Sequence, residues 1–247
     1  MPDEVVLEVT DLHAQYGERT ILQGVDLTVR SGEIVVVLGT SGCGKSTLLK
    51  NIIRLHRPTR GSVRLLGREV ADMEEEELEA MLREIGVMYQ YGALLNSMTV
   101  GENVALPLEM HSSVSPALRK AIASLKLRQV GLEGTYDLYP KELSGGMRKR
   151  AAVARALVMD PRILFCDEPS AGLDPVTAGS LDDMLLRLKS SLGMTMVVIT
   201  HEIRSIRRIA DRIAYLHGGR ILFTGTVAEA VQSGIPEVTE FFLRGAE

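Results

Sequence analysis

The chain has no excess of basic residues: its 247 residues hold 28 Lys and Arg against 32 Asp and Glu, a formal net charge of -4. A nucleic-acid partner normally calls for a basic surplus, so none is expected here. Nor does any apolar run approach the roughly 18 residues that cross a bilayer. The start, Met1-Pro2-Asp3-Glu4, is acidic and has neither the basic nor the apolar region of a signal peptide. Only two cysteines occur, Cys43 and Cys166, without CxxC or metal-ligand spacing, so a reducing cytosol is the natural setting. Internal repeats and low-complexity linkers are missing too. What is present is ordinary globular material, 45% hydrophobic and 24% charged, which excludes wholesale disorder. These features predict a soluble intracellular protein that meets a membrane only through a partner.

Strands dominate the first third. Val25, Leu27 and Val29 alternate with Asp26, Thr28 and Arg30, the period of a half-buried strand. After Ser31-Gly32, the run Ile34-Val35-Val36-Val37-Leu38 suits a strand covered on both faces, as in a parallel sheet. Helical apolar spacing follows from Lys45 to Leu55. Glu74 to Arg83 reads as an acidic helix with a solvated face, and Val87-Met88-Tyr89 as a short strand. Thr99 and Glu102 have capping-box spacing for a helix towards Met110 that Pro107 should bend or end. Ser115-Pro116 opens a helix to about Val130, and Ser144 caps another through Met159.

The last third alternates strand and helix. Apolar strands are predicted at Ile163 to Cys166 and Met194 to Ile199, with helices from Asp174-Pro175 to Gly193 and around Ile203, Ile206 and Ile209. Arg212 to Leu216 and Arg220 to Thr224 flank His217-Gly218-Gly219, a hairpin signal. Repeated alternation implies an α/β fold with a mainly parallel, doubly wound sheet. The helices from about Gly92 to Met159 have no strands between them and read as an inserted lobe.

Gly39-Thr40-Ser41-Gly42-Cys43-Gly44-Lys45-Ser46 matches GxxxxGK[ST] between a strand and a helix. Glycines let successive N–H groups turn towards one phosphate, and the helix N-terminus adds positive partial charge. Lys45 would bridge the β- and γ-phosphates and the Ser46 hydroxyl would ligate Mg²⁺. Cys43 reads as a small loop-filling residue rather than a reactive thiol. Further on, Asp167 and Glu168 end an apolar strand. Consecutive strand residues point oppositely, so the two acids should have separate roles. Asp167 would hold Mg²⁺ through water, and Glu168 would orient or deprotonate an attacking water.

Leu143-Ser144-Gly145-Gly146-Met147 is either an ordinary N-cap or a second phosphate-binding nest without a lysine of its own. Together with the motifs above it resembles the ATPase subunit of an ABC transporter, and the similarity covers essentially the whole chain. Gln90 resembles the Q-loop glutamine, Ser170-Ala171-Gly172-Leu173-Asp174 the D-loop, and Thr200-His201 the switch histidine. Tyr16 matches the aromatic that stacks on adenine; a tyrosine packed in a hairpin is the other reading. The resemblance implies an α/β P-loop NTPase (RecA-like) core, residues 1–91 and 160–247, with an N-terminal antiparallel β subdomain. Residues 92–159 would form the helical subdomain. It also implies that ATP lies against Gly39 to Thr47 (Thr40, Ser41, Gly42, Cys43 and Gly44 among them), with Mg²⁺ held by Ser46, Gln90 and Asp167. Lys45, Gln90, Glu168 and His201 would serve catalysis. Ser144, Gly145 and Gly146 of a second copy would close the site in a head-to-tail homodimer.

The same resemblance implies integral-membrane permease subunits and a place on the cytoplasmic face of the inner membrane. The segment from Gln90-Tyr91-Gly92-Ala93-Leu94-Leu95 to Val104 is similar to the corresponding segment of Mla/MCE phospholipid-transport ATPases, as is Met147 where most of the family has glutamine. That branch would add an MCE-domain lipid-binding protein as a partner. The apolar Gly92 to Leu95 stretch suits either a permease groove or the subdomain core. An ATPase for another cargo, such as an amino acid or a metal, is the alternative. A soluble ABC protein would bring coiled-coil insertions or tandem ATPase domains, which the sequence lacks. A small-molecule P-loop kinase would leave Ser144-Gly145-Gly146 and His201 without a role.

Overall fold

The computed structural model describes residues 4–90 and 92–244. Met1 to Asp3 of the acidic start, Tyr91 of the Gln90 to Val104 segment and residues 245–247 lie outside the described residues.

Strands β1 (Val5–Tyr16) and β2 (Arg19–Arg30) form a long hairpin. From β3 (Ile34–Leu38) a glycine-rich turn leads into α1 (Lys45–Ile52). Then come β4 (Arg60–Leu65), β5 (Arg68–Glu69), α2 (Glu75–Leu82) and β6 (Ile85–Met88). Three helices follow with no strand between them: α3 (Val100–His111), α4 (Pro116–Gln129) and α5 (Gly145–Ala156). Alternation resumes with β7 (Ile163–Asp167), α6 (Pro175–Leu192), β8 (Thr195–Ile199), α7 (Ile203–Ile209) and β9 (Arg212–His217). The chain continues through β10 (Arg220–Gly225), α8 (Val227–Val231) and α9 (Pro236–Arg244).

Two sheets result. One is antiparallel, in the order β2-β1-β4-β5; the other runs β10-β9-β3-β8-β7-β6 and is parallel except for β10. The continuous apolar runs have a simple cause. In β3, Ile34, Val36 and Leu38 enter one core while Val35 and Val37 enter another. Leu164 and Cys166 separate from Ile163 and Phe165 in β7 in the same way, and Met196 and Val198 from Val197 and Ile199 in β8. A strand with both faces covered has no polar side to show. The antiparallel sheet and α1 cover one face; α3 to α7 lie on the other, in the core that holds Val104, Leu127, Val153 and Leu185.

The helix starts follow the sequence. Thr99 Oγ1 accepts from the Glu102 N–H while the Glu102 carboxylate accepts from the Thr99 N–H, and Ser115, Ser144 and Asp174 each cap a first turn. Some ends differ. α1 stops at Ile52, short of Leu55, because Arg54 takes a left-handed φ of 56° and its guanidinium reaches the Met73 carbonyl. α5 stops at Ala156, short of Met159, and Asp160 turns the chain with φ 52°. Pro107 does not end α3, which continues to His111 with Leu108 buried in the core beyond the proline.

Candidate active site

The buried β3 must turn back at its carboxyl end, where open α/β sheets bind their ligands. There a cavity of about 720 Å³ is lined by the loop from Gly39 to Thr47 (Cys43 excepted) and by Arg19, Ile21, Gln90, Asp167, Glu168, His201 and Phe241. Two glycines are required by contact. A Cβ on Gly39 (φ 150°) would lie 2.0 Å from the Leu216 carbonyl oxygen, and one on Gly44 (φ 111°) 2.8 Å from Leu22 Cδ2. The loop is thereby pressed against its neighbours, leaving a cradle in front of α1. Lys45 arches over it: Nζ donates to the Gly39 carbonyl at 2.9 Å and the Thr40 carbonyl at 3.1 Å. The Cys43 side chain is buried, and Cys43, unlike the other loop residues expected to lie against ATP, does not line the cavity. Burial pushes the Cys43 thiol up, against the pull of nearby Lys45.

The two acids part for a reason other than strand alternation. Asp167 ends β7, but Glu168 has already left the strand with φ 48°, a left-handed conformation that costs a non-glycine residue about 1–2 kcal/mol. Its N–H is held by the Ile199 carbonyl at 2.8 Å. The Glu168 side chain is buried; Oε1 accepts from His201 Nδ1–H at 2.8 Å, and Oε2 is buried without a hydrogen-bond partner among the described residues. An orphaned carboxylate oxygen of this kind fits a site that receives a donor such as water. Asp167 faces the same cavity. Burial raises its pKa above the ordinary carboxylate value, Glu168 adds to the rise, and Lys45 and Lys149 oppose it.

Lys149 was not foreseen from the sequence. It is buried on α5, and its Nζ donates to the Glu168 carbonyl at 3.1 Å and to the Gln90 carbonyl. The signal was there: Gly146, Lys149, Val153 and Leu157 fall on one helical stripe, and all four are buried. Arg155 was missed as well. It fixes the segment after Gln90, donating to the Ala93 carbonyl at 2.7 Å and the Gly92 carbonyl at 2.8 Å. That segment is divided, with Leu94 packed against the core and Leu95 exposed. Asn103 closes it, accepting from the Leu95 N–H at 2.7 Å.

Other predicted residues stand apart from the cavity. Tyr16, at the end of β1, is exposed on one side and packs its ring on His56 with centroids 4.5 Å apart. Ser144 caps α5 by accepting from the Met147 N–H, and neither it nor Gly145 or Gly146 lines the cavity of its own chain. Gly146 packs on Thr177, where a Cβ would come within 2.4 Å of Cγ2. A Cβ on Gly145 would meet only Leu173, at 3.4 Å.

Residues 22–171, more than half of the chain, match the family model described as ABC transporter. The chain belongs to the ABC transporter family. This ABC cassette is 41% identical over 225 residues to the methionine import ATP-binding protein of Haemophilus influenzae, covering 91% of its own length and 65% of that protein's. It therefore spans just under two thirds of the length of that curated relative. It is 38% identical over 241 residues to the probable ribonucleotide transport ATP-binding protein of Mycobacterium leprae, covering 98% of this chain and 70% of the other. A bacterial ABC transporter cassette solved as a dimer superposes with a TM-score of 0.81 at 34% identity, over 89% of this chain and 98% of that one. The α/β P-loop fold expected from the sequence is thus the fold of the ABC cassettes. The phospholipid branch expected from Gly92 to Leu95 and Met147 has no counterpart in these relatives' names.

Proposed function

We propose that this chain is the ATP-hydrolysing subunit of an ABC importer, acting as a pair of copies beneath membrane permease subunits. One observation carries the reading. Lys45, Ser46, Gln90, Asp167, Glu168 and His201 converge on one cavity, while the Ser144-Gly145-Gly146 cap lies outside it on the same chain. Half of a triphosphate site is present; a second copy's helix N-terminus supplies the complement. The solved dimeric cassette and its counterpart bound to ADP and phosphate support pairing and hydrolysis.

Each side chain then has a task. The loop amides and Lys45 hold the β- and γ-phosphates. Ser46, Asp167 and the Gln90 side chain are oxygen donors suited to Mg²⁺, which neutralises charge developing on the transferred phosphoryl group. Among the described residues no cluster of three His, Cys, Asp or Glu could hold a metal alone, and Mg²⁺ characteristically completes its sphere with water and phosphate. Glu168 accepts the proton of the attacking water, and His201 fixes the glutamate's other oxygen. Tyr16 offers the adenine a ring already braced by His56. Residues 92–159 act as a lobe carrying the cap, and the groove of Glu79, Arg83, Pro107, His111 and Arg155, whose Arg155 also holds the Gly92 and Ala93 carbonyls, receives the permease. No described helix is long and apolar enough to cross a membrane, so the cytoplasmic membrane face is reached through that permease.

The cargo reading follows the relatives: an amino acid of the methionine class, supported by 41% identity to a methionine import ATPase. Phospholipid transport with an MCE-domain partner is the second reading, favoured by the Gly92 to Leu95 segment and by Met147. Purifying the tagged chain from detergent-solubilised membranes and identifying the proteins held with it separates the two. A solute-binding importer partner supports the first; an MCE-domain protein overturns it in favour of the second. Steady-state hydrolysis of Mg²⁺-ATP tests the enzymatic reading itself, and a purified folded chain that binds ATP without turning it over would contradict it.

A further inference from the structure

A lysine ammonium placed in a protein interior is costly unless it is well bonded, and an uncharged side chain at the same place would avoid the cost. Lys149 is 9% exposed, and burial pushes its pKa down while Glu168 and Asp167 pull it back up. Its partners are neither of those carboxylates. They are two main-chain carbonyls far apart in sequence, one at Gln90 after β6 and one at Glu168 after β7. Both residues leave parallel neighbouring strands at the edge of the nucleotide cavity. Glu168 sits there in a left-handed backbone conformation: its N–H donates to the Ile199 carbonyl, and its own carbonyl accepts from Lys149 Nζ at 3.1 Å and, within the turn, from the Ala171 N–H at 3.3 Å, so Lys149 is the anchor that ties this carbonyl to α5. A strained residue keeps its conformation only when its surroundings over-determine it.

We propose that Lys149 is a positioning residue: through the Glu168 and Gln90 carbonyls it sets the main-chain turn that presents the Glu168 carboxylate to the reacting water. The proposal rests on the ATPase reading and adds a path to it. Lys149 lies five residues after Ser144 on the same helix, about 7.5 Å along its axis. A pull on the Ser144-Gly145-Gly146 cap by the partner's nucleotide therefore reaches the Glu168 turn of its own chain through one rigid element. At least two N–H donors are needed, one for each carbonyl, and the ammonium supplies three.

The test compares the purified chain with Lys149→Met and Lys149→Arg, measuring kcat, KM for Mg²⁺-ATP, equilibrium ATP affinity and Tm. For Lys149→Met, kcat falls about tenfold or more while KM and affinity stay within about twofold, the signature of a contact felt only in the transition state. Lys149→Arg, which keeps the charge and the donors, recovers most of the rate. In a Glu168→Gln background, Lys149→Met lowers the residual rate by less than about twofold, because the group it positions is gone. A kcat within twofold of the parent, or equal losses with and without the Glu168 carboxylate, overturns the proposal. Should Lys149→Met not fold, Lys149→Leu, which also has no donor, takes its place in the same comparison. Absence of hydrolysis in the unsubstituted chain removes the ATPase reading; an active chain with an equally active Met variant removes only the role of Lys149.

Discussion

His201 and Glu168 are joined by a hydrogen bond, Nδ1–H to Oε1 at 2.8 Å, which leaves Oε2 as the buried oxygen without a partner among the described residues. The imidazole thus fixes the carboxylate, and the remaining oxygen is the one able to accept a proton. Glu168→Gln keeps the shape of the site and removes the proposed base. Equilibrium ATP binding by that variant should match the parent, while kcat falls by about 10²–10⁴-fold, the usual contribution of a positioned general base. Size-exclusion chromatography with ATP should then show a trapped pair of copies. His201→Ala should lower kcat with little change in ATP affinity.

Asp167 gives a stability signature with a definite sign. Its folded pKa is raised above the ordinary carboxylate value of 3.8, by burial and then by Glu168. The folded chain therefore holds this proton more tightly than the unfolded chain. That contribution is full below 3.8 and is lost as pH rises through the raised value, so at neutral pH the ionised carboxylate is a net cost. Asp167→Asn should stabilise the nucleotide-free protein at pH 7 by about 0.5–2 kcal/mol, as relief of a functional site commonly does. The gain should vanish in acid below the carboxylate range, while Mg²⁺-ATP hydrolysis is lost. Thermal melts across pH check the sign.

The thiols should be silent in the native protein. Burial pushes Cys166 up to about 12 and raises Cys43 as well, so neither holds an appreciable thiolate at neutral pH. N-ethylmaleimide should leave the folded chain unmodified and label both cysteines once it is denatured, read by intact mass. Rapid native labelling of Cys43 would show that the loop opens and exposes this side chain.

Gly145 separates folding from pairing. Its missing Cβ has ordinary contact distance to Leu173, unlike that of Gly146, which would strike Thr177. Gly145→Asp should therefore fold with a Tm close to the parent's. Facing a partner's triphosphate, the added carboxylate should lower kcat/KM by about 10²-fold or more through like-charge repulsion.

Much of this was legible in the sequence, for local reasons. Ser115, Ser144, Thr99 and Asp174 announce their helices because a capping hydroxyl or carboxylate acts on the next turn. Ile34 to Leu38 and Ile163 to Cys166 announce buried strands because both of their faces are covered. The loop from Gly39 to Ser46 is legible because backbone curvature and phosphate binding demand the same residues. Tertiary consequences were not legible. The left-handed turn at Glu168 depends on Ile199 and Lys149, and the His56 ring behind Tyr16 on a neighbour 40 residues away in sequence. Lys149 lies on the inner stripe of α5, yet nothing local says which carbonyls it meets.

Mixing two inactive variants tests most directly whether each active site is shared between copies. Lys45→Ala damages the phosphate cradle and Gly145→Asp the opposing cap, so each variant alone should hydrolyse little ATP. In an equal mixture, half of the pairs are hybrids with one complete site, and the rate should recover to about a quarter of the parent's for independent sites in a two-fold pair. Gly145→Asp retaining the parent's rate on its own, or a mixture of well-folded variants that form hybrids yet stay inactive, would contradict the shared site.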